Sequence, residues 1–260
     1  MIKSLSIVMP YYNRRQLLLN VLKSIDYYNN NYKIETIIVD DGSDSVHNID
    51  DTVELFPKLN INLIKLQRDT KWRGPAIAYN TGFNAAVNDA ILINSAECIH
   101  LGDILGYVFS RLNPKEYLNF SAYMSDNQLN DKINNLNWKD ELTIRDVASS
   151  IDMTTITKWG CHSKIGNYIP YCAAINREDM ETLSGYDERF AAGIGFDDYD
   201  FTDRIYNLGL NMIAVDIPFC IHQYHTPTNY INNINIDFLW YLRKSSPHRI
   251  KPTMNKVYVR

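Results

Sequence analysis

The chain has 260 residues, enough for one large α/β domain or two small ones with a substantial core. At 45% hydrophobic and 22% charged it has the composition of an ordinary globular protein. A formal net charge of −4 supplies no basic stripe for nucleic acid, which excludes phosphate-backbone binding as its main activity. A small anionic ligand held by one or two arginines is not excluded. The four cysteines, Cys98, Cys161, Cys172 and Cys220, have neither CxxC nor zinc-ligand spacing. They are expected to be buried thiols in a reducing compartment. No apolar run is long enough to span a bilayer, and Met1 leads directly into strand-like Leu5–Met9 without a signal peptide. A cytoplasmic location is therefore expected.

In chain order, Ser4–Met9 reads as a strand stopped by Pro10. Arg15–Tyr28 carries Leu18, Leu22 and Ile25 at helical spacing. Glu35–Val39 and Ile61–Leu66 read as strands, Pro75–Val87 as a helix and Ala90–Asn94 as a fourth strand. Strands alternating with helices imply right-handed βαβ crossovers and a mainly parallel sheet. Ligands of such sheets bind at the carboxyl ends of the strands. The loops to watch are therefore Pro10–Arg14, Asp40–Asp44 and Asn94–Cys98. From about Asn113 to Lys158 the pattern is weak and polar, which predicts loops and surface helix. After Trp159, Tyr171–Ile175 reads as a strand, Arg177–Leu183 and Phe196–Leu208 as helices, and Met212–Pro218 as a last strand. No repeat and no Pro/Gly-rich linker divides the chain, so a single domain over 1–260 is expected.

Gly193-Ile194-Gly195-Phe196-Asp197-Asp198-Tyr199-Asp200 sets three acids at the start of a predicted helix. By themselves they suit a helix dipole. Equally, adjacent carboxylates raise each other's pKa, and one of them then suits a general base. His222 and His225, three apart after a strand, can converge on one divalent ion, although single histidines are more often structural. Asp40-Asp41-Gly42-Ser43 has the composition of a turn. At a strand's carboxyl end one of its acids can also accept from the imide of uracil or from a ribose hydroxyl. Arg14 and Arg73 are the cations available for a pyrophosphate or a base, and Pro10, Tyr11 and Tyr12 end the first strand where a ring can cover the base.

Together these segments resemble a known family. Ser6 to Arg14 followed by Ile37 to Ser43 is similar to the opening of family 2 glycosyltransferases of the GT-A fold, and Arg73 to Gly82 resembles their next donor-binding helix. Gly185-Tyr186-Asp187-Glu188 through Asp198 and Arg204 resembles the acceptor-side segment shared with the β-1,4-galactosyltransferases. The resemblance spans residues 4–90 and 159–226. It implies a Rossmann-like α/β/α sandwich, with a nucleotide-sugar half over 1–112 and an acceptor half over 113–260. It also makes Asp198 the catalytic base, with Asp197 beside it to orient it or to bind an acceptor hydroxyl. In the same comparison His222 and His225 match a late segment that supplies a metal ligand. The family's Asp-x-Asp appears here as Ser95-Ala96-Glu97, so the first acid is missing and Glu97 stands where the last acid contacts the ion. A metal held by Glu97, His222 and His225 has mixed N/O ligation, which suits Mn²⁺ better than Mg²⁺.

The implied reaction is an inverting, metal-assisted transfer of a hexose or N-acetylhexosamine from a UDP-sugar to a hydroxyl of a glycan or other acceptor. Trp159 and His162 are weaker acceptor-side candidates. Two alternatives stay open: an inactive sugar- or partner-binding module of the same fold, and a sugar nucleotidyltransferase. Met9-Pro10-Tyr11-Tyr12 is not the Gly-rich phosphate loop the latter would carry.

Overall fold

The computed structural model describes residues 1–68, 73–151, 162–164, 166, 168–226 and 234–252. Two apolar layers sandwich its sheet, and the strands' side chains divide between them. On β1 (Leu5–Tyr11), Leu5, Ile7 and Met9 enter one layer and Val8 the other. On β4 (Ala90–Asn94), Leu92 and the pair Ile91 and Ile93 divide likewise. Successive side chains of a strand face opposite ways, so a strand covered on both faces must be apolar throughout. That is why these segments read as unbroken runs of Ile, Leu and Val.

The other strands are β2 (Ile34–Asp40), β3 (Ile61–Lys65), β5 (Cys98–Leu101), β6 (Glu116–Met124), β7 (Cys172–Asn176) and β8 (Asn211–His222). Their order across the sheet is β3-β2-β1-β4-β7-β6-β8-β5. Pairs β1–β2, β2–β3, β1–β4 and β6–β8 are parallel, and β4–β7, β6–β7 and β5–β8 antiparallel. The amino-terminal strands thus form the expected parallel sheet, extended by a mixed second part. Helices α1 (Arg15–Tyr28), α2 (Thr52–Leu55), α3 (Ala76–Ala85), α4 (Ile104–Arg111), α5 (Asn127–Asn134), α6 (Glu141–Ser149), α7 (Arg177–Leu183), α8 (Asp197–Asn207) and α9 (Ile234–Ser245) complete the described elements. Helix α1 buries Leu18, Val21, Leu22 and Ile25, spaced i, i+3, i+4 and i+7, on one layer. Helices α3, α7 and α8 bury Phe83, Met180, Phe201 and Ile205 on the other.

Helix α3 approaches the sheet closely because Gly82 has no side chain: a Cβ there would collide with Val8 Cγ1, deep in the core. Valine is stiff about χ1, so it cannot swing aside. Ala is the better helix former by ~1 kcal/mol, but overpacking typically costs ~1–3 kcal/mol. Gly82→Ala is expected to lower the thermal midpoint. A midpoint equal to or above the parent's would show that the layers have slack.

Several expectations need correcting. The polar stretch after Asn113 contains β6, a buried central strand, flanked by α5 and α6. Its polar residues are satisfied internally: Asn119 Nδ2 donates to the Tyr168 and Ile169 carbonyls at 2.9 and 3.2 Å, and Ser121 Oγ to Asp216 Oδ1 at 2.8 Å. The last strand continues past Pro218 to His222, with a register irregularity opposite Phe120 and Ala122. Pro10 lies within β1 rather than ending it. Helices α4 and α9 and the short strand β5 were not anticipated. Cys98, Cys172 and Cys220 are free and buried, as expected, and Cys161 lies outside the described residues.

Candidate active site

Strand register gathers the candidate residues. Tyr11 pairs with Asp40 and Val8 with Ile93, so the loops after β1, β2 and β4 open side by side. Asp41 N–H donates to the Tyr11 carbonyl at 2.8 Å, and Ser43 N–H to Asp40 Oδ1 at 2.9 Å, which shapes the second loop. Tyr11 is buried and spends its hydroxyl on the His47 carbonyl at 2.7 Å. Tyr12 is the more exposed of the two rings. The Arg68 guanidinium lies 3.7 Å above its centre.

Asp41 is buried between two arginines. Arg68 Nη2 donates to Oδ2 at 2.7 Å, Arg73 Nε to Oδ2 at 3.3 Å, and Arg73 Nη2 to Oδ1. The chain delivers Arg68 from the end of β3. Gly42 makes the approach feasible: its φ is +75°, and a Cβ there would stand 2.7 Å from Arg68 Cβ. Arg68 escaped the sequence reasoning, although the rule that marks strand carboxyl ends covers the end of β3 as well.

Across the crevice, β5 pairs antiparallel with β8 so that Cys98 faces His222. Glu97, one residue earlier, therefore comes beside His222 and His225, with ligand atoms of all three within 4.8 Å of one another. Gln223 ties the two ends together: its N–H donates to the Glu97 carbonyl at 2.9 Å, and its side-chain oxygen accepts from Asn20 at 2.8 Å. Ser95 Oγ donates to Glu97 Oε2 at 2.6 Å, while Arg14 pairs with Oε1. Burial would raise the Glu97 carboxyl, but His222, Arg14, Ser95 and His225 together hold it at about 2. Burial pushes His222 below its ordinary value, against the pull of Glu97. One ionised carboxylate and two imidazoles suit a divalent transition ion. The buried His222 Nδ1, which lacks a hydrogen-bond partner, fits the same use.

The third group sits at the start of α8. Gly195 and Phe196 both have positive φ, 62° and 65°, and turn the chain sharply into the helix. Asn235 of α9 holds that turn, donating to the Phe190 and Gly195 carbonyls at 2.9 and 2.8 Å. Asp197 is buried and Asp198 half-buried. Tyr186 stacks between Tyr79 and Phe201, with centroids 5.0 and 4.5 Å away, and donates to Asp198 Oδ1 at 3.2 Å. Burial pushes the Asp198 carboxyl up to about 6 despite this bond. Asp197 is raised further, by burial and then by the Asp198 charge. At neutral pH the pair therefore divides into a protonated Asp197 and an ionised Asp198. Below the pair, Asp200 binds the fully buried Arg204 at 2.9 Å and also Arg249, which reaches Asp187 at 3.1 Å.

The acid pair and the Glu/His/His cluster belong to one site. Tyr171 stands 5.2 Å from the His222 ring, and its hydroxyl is raised by burial and by Asp198, Cys98 and Glu97 together. His162, by contrast, is buried beside Asp216 and accepts from Lys164 N–H at 3.0 Å. Trp159 lies outside the described residues. Ala96 is buried beside the Ser95–Glu97 turn.

Solved structures with this topology are glycosyltransferases of the GT-A fold. The mannosyltransferase PcManGT from Pyrobaculum calidifontis, in complex with GDP-Man and Mn²⁺, aligns with a TM-score of 0.54 at 20% identity, covering 84% of this chain and 56% of that one. TarS 1–349 from S. aureus aligns at 0.57 and 14% identity, covering 85% and 60%. Its complex with UDP-GlcNAc aligns at 0.54 and 14% identity, covering 88% and 62%. This chain thus spans little more than half the length of these proteins. The model of glycosyl transferase family 2 matches residues 6–184, and the chain belongs to that family. The model described as the N-terminal domain of galactosyltransferase matches residues 152–226. No curated protein matches the chain significantly.

Proposed function

We propose that the protein is an inverting glycosyltransferase that moves a hexose or N-acetylhexosamine from a UDP-sugar to a hydroxyl of a glycan or other acceptor. The observation that carries this reading is the raised, ionisable Asp198 facing the same crevice as Glu97, His222 and His225. Family membership and the sugar nucleotides bound by PcManGT and TarS support it. Residues 1–112 hold the donor and 113–260 the acceptor. Asp198 takes the acceptor's proton as its oxygen attacks on the face opposite the leaving diphosphate. Protonated Asp197 orients that carboxylate or donates to an acceptor hydroxyl. Glu97, His222 and His225 hold a divalent ion, with Mn²⁺ favoured by the mixed donors, whose charge stabilises the leaving diphosphate. Arg14, now paired with Glu97, is free to turn to phosphate once Glu97 has another cation. Incubating the protein with UDP-sugars and Mn²⁺ and scoring UDP release tests the activity. It also separates a transferase from an inactive binding module.

The uracil is recognised at the other end of the crevice. A carboxylate offers about four lone-pair sites, and Arg68 and Arg73 occupy three of those on Asp41. The remaining site accepts the uracil N3–H, which cytosine lacks. UDP is expected to bind ~10-fold or more tightly than CDP, since a buried acceptor left unpaired costs ~1–3 kcal/mol. Asp41→Asn, which strands the two guanidinia less than Ala would, should shrink that preference. Equal affinity for UDP and CDP in calorimetry would refute the base pocket.

A further inference from the structure

One buried cation in the crevice has a hydrogen-bonding direction that the protein leaves unused. The Arg68 side chain is 7% exposed and held on several sides. Its Nε donates to the Asp41 carbonyl at 2.9 Å and its Nη2 to Asp41 Oδ2 and, more weakly, to the Arg73 carbonyl at 3.4 Å. Tyr12 covers one face of the guanidinium. Its Nη1 is buried without any partner. A buried charged donor in that state is a standing penalty that a ligand acceptor relieves. The local charge points the same way, with two guanidinia sharing one carboxylate.

Sheet order decides which part of a ligand meets it. Arg68 and Asp41 follow β3 and β2, at one edge of the sheet, whereas Glu97 and His222 belong to the strands beyond β4. A sugar nucleotide whose diphosphate lies at Glu97, His222 and His225 presents its base to Asp41 and Arg68. We infer that Arg68 is a further specificity-determining residue: its Nη1 binds a carbonyl oxygen of the base while Asp41 takes the neighbouring ring N–H. The inference rests on the nucleotide-sugar function proposed above. Together the two side chains read a carbonyl adjacent to an N–H, the edge that uracil has. Cytosine fails this pair, presenting a ring acceptor to the carboxylate and an amino group to the guanidinium.

The test is calorimetry of UDP, CDP, 2-thio-UDP and 4-thio-UDP with the wild-type chain and with Arg68→Lys, which keeps the charge against Asp41. Sulfur is a poor acceptor, so one of the two thio analogues should bind the wild-type chain ~10-fold more weakly than UDP, the size of one lost hydrogen bond to a charged group. Arg68→Lys should weaken UDP by a similar factor, leave CDP unchanged and abolish the penalty on the thio analogue. Wild-type binding of both thio analogues with the affinity of UDP would overturn the inference, whether or not the variant folds. So would equal weakening of UDP and CDP by Arg68→Lys, which would assign Arg68 to phosphate or to the fold. Failure of the wild-type chain to bind any of the four nucleotides would instead remove the nucleotide-sugar function, and the inference with it.

Discussion

Replacing Asp198 by Asn is expected to lower kcat by ~100- to 10,000-fold, the usual range for loss of a general base, with donor affinity nearly unchanged. The amide keeps the carboxylate's shape and its contact with Tyr186 but cannot take a proton from the acceptor. The pH profile supplies an independent readout. The base works in its ionised form and its carboxyl sits at about 6, so activity should rise with pH through that value and level off above it. Tyr186→Phe removes a hydrogen bond that favours the ionised form, so it should move the acid limb upward while leaving the plateau largely intact. An Asp198→Asn enzyme with near-normal turnover would clear Asp198 of the role.

The second large effect concerns the opposite side of the crevice. Glu97→Ala is expected to reduce kcat/KM by ~100-fold or more, because charge stabilisation by a metal contributes several kcal/mol and each 1.36 kcal/mol is a factor of ten. Thorough chelation should abolish turnover, and Mn²⁺ should restore it in the parent but not in Glu97→Ala. His222→Ala should behave similarly, since its imidazole is the buried member of the cluster. Glu97→Gln adds a control, as it keeps the volume while removing the charge that Arg14 pairs with. Full activity after chelation would refute the metal requirement.

The parts of this molecule legible in the sequence were those where one physical rule dominated. β1 and β4 were read because strands buried on both faces must be apolar throughout, and α1 because its apolar residues keep helical spacing. The motifs at the strand ends could be placed in one crevice because parallel strands open at one edge. β6 was missed because Asn119 and Ser121 imitate loop composition, and their partners Tyr168, Ile169 and Asp216 are distant in the chain. The proximity of Glu97 to both histidines depends on the β5–β8 register, which no local pattern encodes. Arg68 was overlooked because its role depends on the missing Cβ of Gly42 and on a tyrosine from another strand.

The buried charges beneath α8 also bear on the order in which the chain can mature. Asp187 and Asp200 find part of their compensation in Arg249, which lies 62 residues beyond Asp187. During synthesis the amino-terminal strands can consolidate as they emerge, since domains fold from the amino terminus onward. The helix carrying Asp197 and Asp198 cannot be seated in its final setting until Arg249 has left the ribosome. A nascent chain arrested just before that point should therefore hold a formed nucleotide crevice and an unanchored acid pair, so that it binds UDP before it can transfer a sugar.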